Sequence, residues 1–398
     1  MSYTQDERAR ASAWKRLSPS LPAEARAAAP YIGKDGEPGT VAYDFCLPAS
    51  HAELSLLPEV REGALALFAE LGIPWHAGVD GGPSNHLLSS QVQCANALFR
   101  MVDNPTTVMN VFGELLGSAE VLQIEPGRFL TFEYIDTEDF FGEAIGGKLV
   151  RGSKCTSVDA AFLHRTHDGI VELVLLEWKY TESYGKHKAS PKDVTRERRY
   201  GAALRDPAGP VRADLLSFEA LLDEPFYQLM RQQLLAAALE TRRAHGAQRV
   251  RVVHVSPAGN LAYQGSLSRP EHRALGSTVS EVWHKLLRQP DRFLSVDSSH
   301  FLRADLPPGE YVARYGDVLV RSESELLAVT RAEDVGGLEY QLFTYVDGVV
   351  RPHDGGLTVV AAFETVAFDY PFWLSELFLT ALDLEAVVNG ERVRDDRP

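Results

Sequence analysis

The chain has 398 residues, 45% apolar and 24% charged, the balance of a globular protein long enough for one large domain or two ordinary ones. No apolar run approaches the ~20 residues that cross a bilayer, and the first sixteen residues lack the apolar segment of a signal peptide. Three widely spaced cysteines, Cys46, Cys94 and Cys155, argue against a disulfide frame or a zinc site and for free thiols in a reducing compartment, the cytoplasm by default. A net charge of −15 argues at first against a nucleic-acid partner, but −11 of it falls in residues 305–398, which hold 18 Asp and Glu against 7 Arg and no Lys.

In chain order, the first 50 residues and 74–84 are punctuated by Pro and Gly and read as irregular, surface-wrapping segments. Residues 58–71 have helical periodicity. Residues 85–102 read as a second helix, with Leu88, Val92, Ala95 and Leu98 as its apolar stripe and Ser89, Ser90 and Gln91 in its first turn. Residues 129–135 have strand composition. Residues 156–165 and 170–180 are two further strands, separated by Asp168-Gly169, a strong hairpin signal. Residues 225–244 form a helix whose stripe of Phe226, Leu229, Met230, Leu234 and Ala237 contains one polar side chain, Gln233. Residues 249–256 form a strand ended by Pro257 and Gly259. From residue 85 the order is helix, strand, strand, strand, helix, strand. The expected organisation is a first domain over 1–304 and an acidic, β-rich subdomain over 305–398, the latter closed by a helix at 375–388.

The chemistry concentrates at the end of the strand VELVLLEWKY. Side chains two apart on a strand share a face, so Glu177 and Lys179 point one way and Trp178 the other. If the turn is centred on Asp168, paired residues sum to 336 and Asp159 lies directly opposite Glu177. Two facing carboxylates repel unless a cation sits between them. Lys179 supplies one charge, and Mg²⁺, which takes carboxylate, carbonyl and water oxygens, would supply the rest. A cross-strand salt bridge on a sheet surface is the ordinary alternative for an E-x-K. The apolar residues before Glu177 weigh against it, because burying charge is costly unless it is used.

Downstream, Lys186, Lys188, Lys192, Arg196, Arg198 and Arg199 lie in a stretch with seven bases against three acids. It reads either as a solvated face or as a strip that tracks a phosphate backbone. The run Gly142 to Lys148 has the spacing of a phosphate loop but ends in Leu149, without the Ser or Thr that would meet Mg²⁺. His164 and His167 read as exposed turn histidines, and Trp75-His76 as core packing. No G-x-S-x-G elbow is present.

Asp159 followed by Glu177-Trp178-Lys179 resembles the PD-(D/E)xK nuclease superfamily. More narrowly, the segments YDFCLP (43–48), PWH (74–76), HLLSSQ (86–91), LEWKYTESY (176–184), YQLMRQQLLA (227–236) and HVSPAGN (254–260) look like a bacterial restriction-endonuclease-like family over roughly residues 30–300. The resemblance implies an α/β fold with an αβββαβ core, a mixed sheet flanked by helices, here carrying an acidic β-rich C-terminal appendage. It implies a metal-dependent endodeoxyribonuclease that uses Mg²⁺, with Mn²⁺ as a substitute, on DNA, with RNA as the other candidate. On this reading Asp159, Glu177 and the carbonyl of Trp178 hold the metal, and Lys179 orients the attacking water. The superfamily's fourth acid usually comes from the first helix, which here offers Gln91. Glu133 completes the site if it faces inward and is a surface residue if it faces outward. Gln233 either reaches the site or bonds a loop. Two-strand cutting by such folds implies a homodimer, which no feature of the chain displays. Val158 stands where the motif often has proline. A non-catalytic nucleic-acid-binding or scaffold protein on the same fold is the alternative.

Overall fold

A computed structural model describes residues 2–302, apart from 145, 153 and 154, and residues 309–316; beyond these only the backbone of separate strands is described. Helix α1 (Tyr3–Leu17) opens the chain, followed by the hairpin β1 (Ala29–Ile32) and β2 (Pro38–Tyr43), α2 (Pro58–Leu71), α3 (Ser90–Leu98) and α4 (Pro105–Leu116). Strands β3 (Ser118–Leu122), β4 (Leu130–Tyr134), β5 (Val158–Thr166) and β6 (Val171–Trp178) come next. Then follow α5 (Lys192–Arg205), α6 (Phe218–Leu221), α7 (Phe226–Arg242), β7 (Arg249–Ser256), α8 (Leu261–Gln264), α9 (Pro270–Leu275), α10 (Val279–Leu286), β8 (Phe293–Asp297) and α11 (Gly309–Tyr315).

The fold is mixed α/β around one six-stranded sheet in the order β3-β5-β6-β7-β8, with β4 also paired to β5. Strands β5 and β6 are antiparallel, while β6, β7 and β8 run parallel. Parallel neighbours need a crossover, and α7 supplies it between β6 and β7. Burial follows the pleat. Ala160, Phe162, Val174, Leu176 and Trp178 face the N-terminal helices, while Ala161, Leu163, Leu173 and Leu175 face the layer built from α5, α7 and α10. A sheet covered on both faces explains why β6 reads as a continuous apolar run instead of an alternating one.

The alternation slips in one place. Phe132 and Tyr134 are two apart yet lie in opposite cores, as do Val158 and Ala160 opposite them. Between Phe132 and Tyr134 stands Glu133, with a φ of +45°. That conformation is rare for a residue with a Cβ, and here it rotates the strand end where the acids gather.

Several expectations need correction. The first 50 residues are not merely irregular: α1 packs Trp14 and Leu17 into the core, and its buried Lys15 ammonium caps the carbonyls of Ala27 (2.8 Å) and Cys46 (2.6 Å). The helix expected over 85–102 begins only at Ser90, with Ser89 as its N-cap, because Asn85 is instead committed to bonding the backbone of Pro30, Ile32 and Leu47. His164 is not an exposed turn residue. It is fully buried, with Nδ1 2.8 Å from the Ser118 hydroxyl. Helix α4 and the edge strands β3 and β8 add to the expected order.

The stretch after 304 read as β-like begins with helix α11, whose Tyr311, Arg314 and Tyr315 are buried, Arg314 lying over the Trp14 ring at 4.6 Å. Beyond it, backbone strands at 317–322, 325–332, 337–346 and 349–352 form one antiparallel sheet; those at 357–361, 364–368, 385–388 and 391–393 form another. Of the helix expected over 375–388, residues 375–384 lie outside the described residues and Glu385–Val388 is a strand. No described helix is long and apolar enough to cross a membrane.

Candidate active site

The site is built where β4, β5 and β6 end together. The β5–β6 register pairs Ala160 with Leu176 and Ala161 with Leu175, so corresponding residues sum to 336 and the next step places Asp159 against Glu177. The turn that sets this register is a short loop, closed by the amide of Thr166 bonding the Ile170 carbonyl (2.9 Å) and by Gly169 at φ +85°. On the other side, β4 pairs Phe132 with Ala160 and Tyr134 with Val158, which brings Glu133 beside Asp159. In the parallel direction Glu177 pairs with His254. A polar row, Glu133, Asp159, Glu177, His254, thus crosses four strands.

Each member is held by a distinct contact. One Asp159 carboxylate oxygen accepts the backbone N–H of Trp178 at 2.6 Å. Glu177, 1% exposed, accepts from the Lys179 ammonium on one oxygen and from the Gln232 side-chain amide of α7 on the other. Glu133 accepts from the Gln91 amide (3.1 Å) and the Ser157 hydroxyl (3.1 Å). The Trp178 indole points the opposite way, donating to Gln93 at 2.9 Å. Lys179 has left the ladder but is still pinned, its amide bonding the Val255 carbonyl at 2.8 Å.

Crowded negative charge shows in the proton affinities. Burial, then Glu177 and Glu133, push Asp159 well above the usual carboxylate range. Burial pushes Glu133 up to about 7 against the opposing bonds from Ser157 and Gln91. Burial works against the Lys179 ammonium, yet Glu177, Tyr184, Glu182 and Asp159 together hold it well above the usual lysine range. Three acidic groups therefore share one ammonium, and Asp159 and Glu133 hold their protons more tightly than usual; a hard cation would take the place of those protons. The donors available to such a cation, the Asp159 and Glu177 carboxylates and the Trp178 carbonyl, are oxygens of the kind Mg²⁺ takes. Among the described residues no group of three or more His, Cys, Asp or Glu side chains is gathered tightly enough to be a metal cage by itself. That agrees with Glu177 being turned onto Lys179 and Gln232.

Of the residues singled out in the sequence, Asp159, Glu177, Lys179, Glu133 and Gln91 are brought together. Gln233 is not bonded to them: it is buried, and its Oε1 finds no partner. Gln232 is the glutamine on Glu177. It lies three residues after Leu229 on the same helix face, a spacing that could have marked it. Glu182, Tyr184 and Glu224 also surround Lys179 and carried no signal in the sequence, because the loops that bring them are irregular.

The basic stretch is only partly free. Lys186, Lys188, Lys192 and Arg198 are exposed. Arg196 bonds Asp193 at 2.8 Å and lies over the Tyr227 ring at 4.7 Å, and Arg199 is half-buried. The run from Gly142 to Lys148 is no phosphate loop. Its Glu143 is buried, accepting from the Thr156 amide (2.8 Å) and hydroxyl (3.0 Å) and from Tyr200, and so ties the loop to α5. Beside the carboxylates lies a cleft of about 300 Å³ that includes Gln91, Thr181 and Glu182.

A family described as restriction endonuclease associating with ARP matches residues 8–316, and the chain belongs to this restriction-endonuclease-like family. No curated protein and no solved structure matches the chain.

Proposed function

We propose that the protein is a Mg²⁺-dependent endonuclease that hydrolyses DNA phosphodiester bonds, in restriction, phage defence or repair. The observation that carries this reading is Asp159 set opposite Glu177 at the strand ends, with Lys179 folded onto Glu177. The family's restriction-endonuclease description and the order β4-β5-β6-α7-β7 around a mixed sheet support an αβββαβ nuclease core. The match to residue 316 and the burial of α11 favour ending the nuclease unit after α11, the acidic strands forming a separate appendage.

In this reading Asp159, Glu177 and the Trp178 carbonyl hold the cation, and Glu133, fixed by Gln91 and Ser157, adds a further carboxylate. A divalent ion so placed supplies a more acidic water and offsets charge on the phosphate. Lys179 holds its proton and donates hydrogen bonds, which suits it to orient the attacking water and to steady the phosphate oxygens. One of its three N–H donors is committed to Glu177, which leaves two for that task. Gln232 fixes the other Glu177 oxygen. Lys186, Lys188, Lys192 and Arg198, all exposed on one stretch, guide the backbone of the bound strand, an attraction that salt weakens.

A second reading, a non-catalytic nucleic-acid-binding protein on the same fold, is favoured by one feature: both Glu177 oxygens already have donors. Incubating the full chain with supercoiled plasmid and single-stranded DNA in Mg²⁺, Mn²⁺ or EDTA separates the two. Cleavage that requires metal and disappears in Asp159→Asn supports the nuclease. Binding without cleavage in any metal supports the second reading.

A further inference from the structure

We infer that the cleft beside the carboxylate row receives an unpaired nucleobase, stacked against Tyr31. The inference deepens the nuclease reading and rests on it. The cleft, about 300 Å³, is lined by Tyr31 of β1, by His86, Ser89, Ser90 and Gln91 at the start of α3, and by Thr181. That volume sits at the lower end of small-molecule sites, room for one ring system. It is continuous with the site. The Gln91 amide that borders the cleft also donates to Glu133, and Thr181 follows Lys179 by two residues.

The walls suit a base better than a phosphate. Burial holds His86 down at about 4, with Arg8 adding to the effect, and burial and Lys34 hold His76 below the usual imidazole range. His86 is therefore neutral at neutral pH, and the one charged side chain in the lining is the carboxylate of Glu182. The lining itself offers an anion no cationic side chain. An uncharged base meets π-faces and hydroxyls.

The aromatic surface also continues outward. Tyr31 meets His86 edge-on (5.1 Å between centroids), His86 meets Phe45 (5.2 Å), and Phe45 stacks on Tyr43 (4.9 Å, 23°), a residue 38% exposed. The Arg8 guanidinium lies over Phe45 at 5.1 Å. Phe45 is itself buried and braces its neighbours, so the rings open to a strand are those of Tyr31 and Tyr43; exposed aromatic rings are how single strands are held without sequence readout. A base inside a duplex has no free face to offer it, so the base must be unpaired or turned out.

The test is fluorescence anisotropy of the full chain in EDTA, where no metal-dependent cutting intervenes. The probes are a short labelled single strand, the same strand with abasic sites, and its duplex. Tyr31→Ala is expected to weaken the single strand about 5- to 150-fold while leaving the abasic strand and duplex within about twofold. Tyr31→Phe should retain binding, and Ser90→Trp, which fills the cleft while leaving Tyr31 in place, should weaken the single strand as Tyr31→Ala does. Equal loss on all three probes, or no change in both Tyr31→Ala and Ser90→Trp, overturns the inference. Wild-type cleavage in Mg²⁺ with no Tyr31 effect sinks the cleft alone. A Tyr31-dependent single-strand preference without cleavage in any metal sinks the nuclease reading and leaves the cleft as a base-binding site.

Discussion

Lys179 folds back onto Glu177, two residues earlier in the chain, and the pair is almost sealed from water, with side chains 8% and 2% exposed. The two charges were taken out of water together and depend on each other. Removing one leaves the other buried and alone, which typically costs about 3–5 kcal/mol, far more than the pair contributes. Lys179→Met should therefore lose about that much in urea unfolding, and Lys179→Met/Glu177→Gln should recover most of it. If the double variant is no more stable than the single, the pair is not coupled as described.

Asp159→Asn should behave in the opposite way. Its amide oxygen can still accept the Trp178 N–H, while the cost of ionising a buried carboxyl beside Glu177 and Glu133 is gone. The metal-free variant is expected to be more stable than wild type by about 1 kcal/mol and inactive, the usual trade between stability and function at a strained site. A clear loss of stability in thermal unfolding would show that Asp159 is a structural group. This variant is thus the better control for cleavage, because Lys179→Met confuses chemistry with folding.

The neighbouring glutamines of α7 give a sharper contrast. Gln232→Leu leaves one oxygen of buried Glu177 without its donor and should cost about 1–3 kcal/mol, together with activity. Gln233→Leu removes a buried carbonyl that, like that of Gln232, has no partner, but takes no donor from a buried carboxylate, and should be near neutral or stabilising. Parallel denaturation and cleavage assays on the two variants check this, and equal effects from both would contradict the geometry.

How much of this could be read in the sequence depends on what each part rests on. The hairpin register was legible because Asp168-Gly169 fixes the turn, and the turn fixes every pair behind it, including Asp159 with Glu177. Helix 58–71 was legible from its apolar period, and strand 249–256 from its run of four valines closed by Pro257. Gln232 was not, since period 3.6 admits two adjacent positions on a helix face and the apolar stripe of Phe226, Leu229, Met230, Leu234 and Ala237 encloses its neighbour Gln233. Glu133 could not be placed because its side depends on a φ of +45°, which no pattern of residue types announces. Helix α1 is hidden by its polar composition, since only three of the residues it buries, Ala11, Trp14 and Leu17, are apolar and the others are Glu7 and Lys15.

Stability should also fall in acid for a reason independent of the site. Burial holds His164 down at about 4 despite Glu172, against about 6.5 when unfolded. Between these values the unfolded chain carries the proton and the folded one does not, so stability is full above about 6.5 and drains as pH falls through 4. His164→Gln should be less stable than wild type at pH 7.5 but lose stability less steeply between pH 6.5 and 4, by ~1.4 kcal/mol per pH unit for the one proton removed. Parallel pH–stability curves for the two proteins would contradict it.

On the proposed reading Asp159 and Glu177 together hold a divalent cation. Calorimetric titration of Mn²⁺ into the full chain and into Asp159→Asn tests this, and binding to wild type should weaken at least about tenfold in the variant. No binding to wild type, or indistinguishable isotherms for the two proteins, would contradict it.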